Sequence, residues 1–230
     1  FYVMDFIEGR IFWEQSLPGM QPEERCAIYD ELNRVIAALH NVDVEAANLA
    51  DYGKPGNYFS RQIDRWTRQY RASETGGIDA MDKLMAWLPQ HIPHEEKPQV
   101  SLVHGDYRID NVIFHPTEPR ILAVIDWELS TLGHPLADFA YHLMSWHITP
   151  GGAMRGLGGL DLDALGIPQQ SAYIQSYEQR VGRPVAGDWN FYLAYNLFRI
   201  AAILQGIAKR VEAGTASSAQ AVSSGAGAKP

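Results

Sequence analysis

The sequence predicts an α+β fold that is mostly helical, with one small β-hairpin set among the helices. Apolar residues recur at helical spacing over 22–40, 58–72, 78–88, 135–147, 168–181 and 188–212. Asn111–Phe114 and Arg120–Ile125 read as two short strands around a turn at His115–Pro119. At 230 residues, 46% hydrophobic and 20% charged, the chain can bury a sizeable core as one domain or two small lobes.

Each element has a local reason. Phe1–Met4 is an apolar strand pattern that runs into Asp5–Gly9 before the composition turns loop-like. Pro22 suits a first helical turn and Glu23 and Glu24 its positive end, while Ile28, Leu32, Val35, Ile36 and Leu39 repeat at helical spacing up to His40. His40, at the end of that apolar face, reads as a packed or capping residue rather than a ligand. Residues 41–56 are loop-rich. In the next helix, Phe59, Ile63, Trp66 and Tyr70 form a stripe that fits core packing better than a substrate groove. The third helix, 78–88, is expected to stop at Pro89. His91 and His94 follow, but a zinc pair there lacks the further ligands of a closed site. Pro150–Leu160 is glycine-rich without the strand or Lys-Ser/Thr of a phosphate loop, and reads as a flexible loop. From Ala213 the chain is Ala, Ser and Gly, so 213–230 is expected to be a disordered tail.

Ser101–Asn111 carries the chemistry. An apolar run stops at a small-residue corner, and His104, Asp106 and Asn111 follow in the spacing H-x-D-x-x-x-x-N. Protein kinases use this spacing in their catalytic loop, where the Asp accepts the substrate hydroxyl proton and the Asn holds magnesium. Alone, the match also fits an ordinary strand-to-loop corner with a turn-forming Asp. The hairpin favours the first reading, because it brings Asp126 back beside Asn111, where a second oxygen ligand for Mg2+ belongs.

With HGDYRIDN, IDWE and HPLADFAY in place, the chain resembles the aminoglycoside phosphotransferase-like superfamily of small-molecule kinases. FYVMDFIEGR and GNYFSRQIDRWTRQY narrow the likeness to the kinase-like domain related to the one fused to some acyl-CoA dehydrogenases. The resemblance implies a protein-kinase-like C-terminal lobe over 10–212, using ATP and Mg2+ and phosphorylating a small-molecule hydroxyl. It implies Asp106 as the base, Asn111 and Asp126 as the metal ligands, and Asp138 as a brace for the backbone around His104–Asp106, although Asp138 also fits a plain helix cap. Arg108 stands two after the Asp, where protein kinases carry a phosphate-contacting lysine, and fits a surface arginine equally well. Residues 1–9 would be the hinge between two lobes, with the adenine-facing carbonyl at Asp5, the amide at Ile7 and Met4 lining the pocket. None of the five lysines falls in a strand pattern, so the N-terminal lobe is expected to be missing, leaving half the nucleotide clamp and a chain of doubtful activity by itself. The implied acceptor is a hydroxylated acyl-CoA first and an aminoglycoside second.

A net charge of −8, with Lys and Arg together only 19, argues against nucleic acid as the main partner. The single Cys26, and the lack of a signal pattern or of an apolar stretch of spanning length, lead to the expectation of a cytoplasmic protein with no membrane partner. Nothing in the residues fixes an oligomeric state. Two other function classes stay open: a metal-dependent hydrolase built on His104, Asp106, Asp126 and His134, and a non-catalytic nucleotide-binding module.

Overall fold

The computed structural model describes residues 5–54, 56–95, 99–151, 155–185 and 189–214. Met4, the strand expected at Phe1–Met4 and nearly all of the expected tail therefore lie outside the described residues, as does part of the Pro150–Leu160 loop.

Helix α1 spans Pro22–His40, where the expectation placed it. Proline costs nothing at the first turn, because its missing N–H would have no intrahelical partner. The Glu24 carboxylate reaches back to accept from the Gln21 amide at 2.9 Å. Ile28, Tyr29, Leu32, Ile36 and Ala37 form the buried face. Helix α2 is Tyr58–Ser73. Its stripe is core: the Phe59 ring lies 5.1 to 5.6 Å from the rings of Phe191, Tyr192 and Tyr195. Helix α3 is Asp79–Trp87, and the chain then turns through a 3-10 segment at Leu88–Gln90. The α-helix thus stops before Pro89 as expected, and Pro89 itself sits in the 3-10 turn that follows.

Four short strands make two antiparallel pairs. Strands β2 (Val112–Phe114) and β3 (Ile121–Val124) are the expected hairpin, with Val112 opposite Val124 and a register irregularity between Ile113 and Phe114. Arg10 bridges the other edge of β2 through paired backbone bonds to Phe114. Gly9 approaches so closely that a Cβ there would meet the Phe114 carbonyl oxygen and the Ile113 side chain. The second pair, β1 (Ser101–Val103) with β4 (Thr131–Gly133), was not expected. Thr-Leu-Gly carries no run long enough to announce a strand, and β4 exists because β1 lies across from it.

Helix α4, Pro135–Leu143, is buried along its whole length. It is shorter than the expected 135–147 because Met144–Trp146 continues as a 3-10 turn. A short helix α5, Leu162–Leu165, precedes α6, Gln170–Val181, and α7, Trp189–Glu212. Helix α1 packs on α6, while α7 packs on α2 and α4. Contrary to the sequence reading, α7 is long and apolar enough, by length and composition, to cross a membrane. Half of its apolar window is buried within the fold, and its Asn196 and Gln205 amides bond the Ala137 and Ser73 carbonyls, which ties it to α4 and to the end of α2.

Candidate active site

Strand β1 leads directly into the loop that carries the proposed chemistry. Gly105 adopts φ +84, a backbone conformation that costs an L side chain strain, and a Cβ there would also run into the Leu129 carbonyl. The buried His104 ties the loop to the far end of the hairpin. Its Nδ1 accepts from the Asp106 amide at 3.2 Å and its Nε2 lies 2.9 Å from the Ile125 carbonyl, so the ring is a neutral tautomer with the proton on Nε2. From α4, Asp138 takes the two amides that begin the turn, His104 at 2.7 Å and Gly105 at 2.8 Å. Burial alone would raise the Asp138 carboxyl, but His40, 3.2 Å away, and these two amides hold it below the usual carboxylate range. Tyr177, whose hydroxyl is 2.6 Å from His40 Nδ1, completes this buried support.

The Asp106 carboxylate is held at both oxygens. Tyr141 donates its hydroxyl to Oδ1, and Asn111 Nδ2 donates to Oδ2 at 3.0 Å and to the Asp106 carbonyl at 2.9 Å. The Asn111 carbonyl accepts from the Ile125 amide at 2.9 Å, which sets Asp126 alongside. Asp126 itself adopts φ +66, left-handed geometry that Asp tolerates better than most residues. With the Asn111 amide protons turned to Asp106, its Oδ1 and the Asp126 carboxylate remain as hard oxygen donors, a set suited to Mg2+. No group of three or more His, Cys, Asp or Glu capable of holding a metal occurs among the described residues. His134, which a hydrolase cluster would need, instead pairs with Glu95 at 2.9 Å beyond β4. His91 is likewise committed, stacked on the Trp87 ring and bonded to its carbonyl.

Residues 1–178 match the phosphotransferase enzyme family known as APH. The chain belongs to that family. It is 47% identical over 226 residues, 98% of its length, to acyl-CoA dehydrogenase family member 10 of Mus musculus, and 43% identical over 95% of its length to family member 11 of Rattus norvegicus. It spans only 21% and 28% of those relatives. Among solved structures, a provisional aminoglycoside phosphotransferase of Ralstonia eutropha superposes with a TM-score of 0.96 at 67% identity, over 99% of this chain and 69% of the other. The kinase-like fold, mixed helix with small sheets, is that of the phosphotransferase family.

The loop and hairpin bring His104, Asp106, Asn111 and Asp126 together, and α4 adds Asp138 beneath the loop. Asp5 and Ile7 lie instead on the exposed stretch before Arg10. Arg108 is no free surface cation. Its guanidinium sits 3.5 Å from Asp106 and 2.9 Å from Asp110. Burial works against its charge, but Tyr141, Asp106, Asp110 and Asp126 outweigh that and keep it protonated. Burial raises the Asp110 carboxyl despite the same arginine.

Sequence reasoning missed Tyr141, Arg199 and Asp110. The signal for Tyr141 was its position three after Asp138, which puts both on one helical face. That for Arg199 was a cation inside an apolar helix.

Next to Tyr141, His142 is buried with Nε2 2.9 Å from the Tyr173 hydroxyl, and burial pushes its pKa down to about 4. The folded state thus prefers the neutral ring. The associated stability is fully present above the unfolded pKa of about 6.5 and is lost as pH falls through about 4, a loss of about 3 kcal/mol at roughly 1.4 per unit. Asp138, held low, loses its contribution only below the ordinary carboxylate range. Urea unfolding between pH 7 and 4.5 should therefore show a steep loss in the wild type and a shallower one in His142→Gln. Equal slopes would remove His142 from the account.

Proposed function

We propose that the chain is the catalytic lobe of an ATP- and Mg2+-dependent phosphotransferase that moves the γ-phosphoryl group to a hydroxyl of a small molecule. The observation that carries this reading is the Asp106 carboxylate, fixed between Tyr141 and Asn111, whose own carbonyl is bonded to Ile125 next to Asp126. Asp106 orients the attacking hydroxyl and takes its proton late in the transfer. Asn111 and Asp126 would hold the cation, which would supply positive charge against the nucleotide phosphates. Arg108, already among carboxylates, is placed to exchange them for phosphate oxygens. Asp138 and His104 keep the loop backbone in shape and do not react.

For the acceptor, the acyl-CoA dehydrogenase relatives favour a hydroxylated acyl-CoA, and the Ralstonia structure keeps an aminoglycoside second. ADP formation by the full-length protein, with hydroxyacyl-CoA, aminoglycoside and amino-alcohol panels, should rise with one class of alcohol and most with hydroxyacyl-CoA. ATP binding with no turnover on any panel would favour a nucleotide-binding module instead, and phosphate release without ATP a hydrolase.

A further inference from the structure

Two residues outside the catalytic loop, Tyr141 and Arg199, converge on the turn that carries Asp106. Asp138 and Tyr141, three apart, share the face of α4 that meets the loop, so one helix holds both its backbone and its carboxylate: Asp138 takes the His104 and Gly105 amides, and Tyr141 donates to Asp106 Oδ1. Arg199 comes from α7. Its terminal nitrogen donates to the Gly105 carbonyl at 2.5 Å, and its guanidinium lies 4.9 Å from the Tyr141 ring centroid and 5.5 Å from that of Trp66.

Arg199 is unusual in being buried with no carboxylate in salt-bridge contact among the described residues, and its Nε has no hydrogen-bond partner there. A cation so placed is costly unless its surroundings use the charge. Burial works against it, and the anion that offsets this in part is the Asp106 carboxylate. Tyr141 is buried beside Asp106, and both effects hold its phenol well above its ordinary range. It therefore remains a proton donor to the carboxylate at every working pH.

We infer that Tyr141 and Arg199 are positioning residues for Asp106: Tyr141 fixes one carboxylate oxygen, and Arg199 fixes the Tyr141 ring and the Gly105 carbonyl on either side of it. This rests on the reading of Asp106 given above. With Asn111 on Oδ2 and Tyr141 on Oδ1, each carboxylate oxygen has a fixed donor, so the carboxylate plane is held against rotation. With the phenol oxygen removed, Oδ1 loses its hydrogen-bond donor and keeps only the longer 3.5 Å ion pair to Arg108, so the carboxylate is free to turn about the Asn111 bond.

The test is ADP formation from ATP·Mg2+ by the full-length protein, with a hydroxyacyl-CoA and with water alone, for wild type, Tyr141→Phe, Asp106→Asn and the double variant. Tyr141→Phe, which keeps the ring beneath Arg199, should lower kcat about 10- to 100-fold while KM for ATP·Mg2+ stays within about twofold. In the Asp106→Asn background the same change should cost less than about twofold, because no carboxylate is left to aim. Arg199→Met, which keeps an apolar stem against Trp66, should show the same loss in kcat alone. Losses of equal size in both backgrounds, a loss confined to KM, or an unchanged kcat in Tyr141→Phe would each overturn the role of Tyr141. A fall in melting temperature with intact kcat in Arg199→Met would reduce Arg199 to a structural cation. Wild-type turnover in Asp106→Asn alone would instead remove the base itself.

Discussion

Asp106→Asn in the full-length protein is expected to cut turnover by about two to four orders of magnitude while nucleotide affinity stays nearly unchanged, the range of a lost positioned base. The separation follows from where Asp106 sits. Its carboxylate is bonded to Tyr141 and Asn111 and lies 3.5 Å from the Arg108 guanidinium, so in the proposed reading it faces the acceptor hydroxyl and is not itself a ligand of the cation or the phosphates. Asparagine preserves the size of the side chain and one acceptor oxygen, but it replaces the other with an NH2 group and removes the anionic charge that receives the proton. Isothermal titration with ATP·Mg2+ alongside ADP formation reads both halves. Wild-type turnover in the variant would remove Asp106 as base and the kinase reading with it.

The helices were legible because their signals are local. The start of α1 at Pro22, the stripe of α2 and the apolar body of α7 each lie within one stretch of sequence, and periodicity finds them. The hairpin was legible for the same reason, since a turn at 115–119 between two apolar runs is a local pattern. The rest is long-range. β4 is a strand only because β1 pairs with it. At the site, the motif spacing placed Asp106, Asn111 and Asp126 together, whereas the Tyr141 contact and the reach of Arg199 across 94 residues to Gly105 depend on how α4 and α7 pack. Asp138 shows the boundary. Sequence left it open between a helix cap and a loop brace, and its two bonds to amides on another element are visible only in three dimensions.

Asp126 offers the second large effect and the sharpest control. If its carboxylate acts on nucleotide through the cation, its loss should weaken ATP binding in the presence of Mg2+ by at least the roughly 10- to 100-fold that removing even an outer partner of a metal costs, and leave Mg2+-free binding nearly unchanged. The left-handed backbone at φ +66 complicates the obvious variant. Alanine there adds about 1 kcal/mol of conformational strain unrelated to the metal, whereas asparagine tolerates the conformation and removes only the charge. Asp126→Asn and Asp126→Ala should therefore lose Mg2+-dependent affinity alike, while Asp126→Ala alone also loses thermal stability. Equal losses of ATP affinity with and without Mg2+ in Asp126→Asn would make Asp126 a structural turn residue, held beside Asn111 by the hairpin for reasons of folding and not for metal.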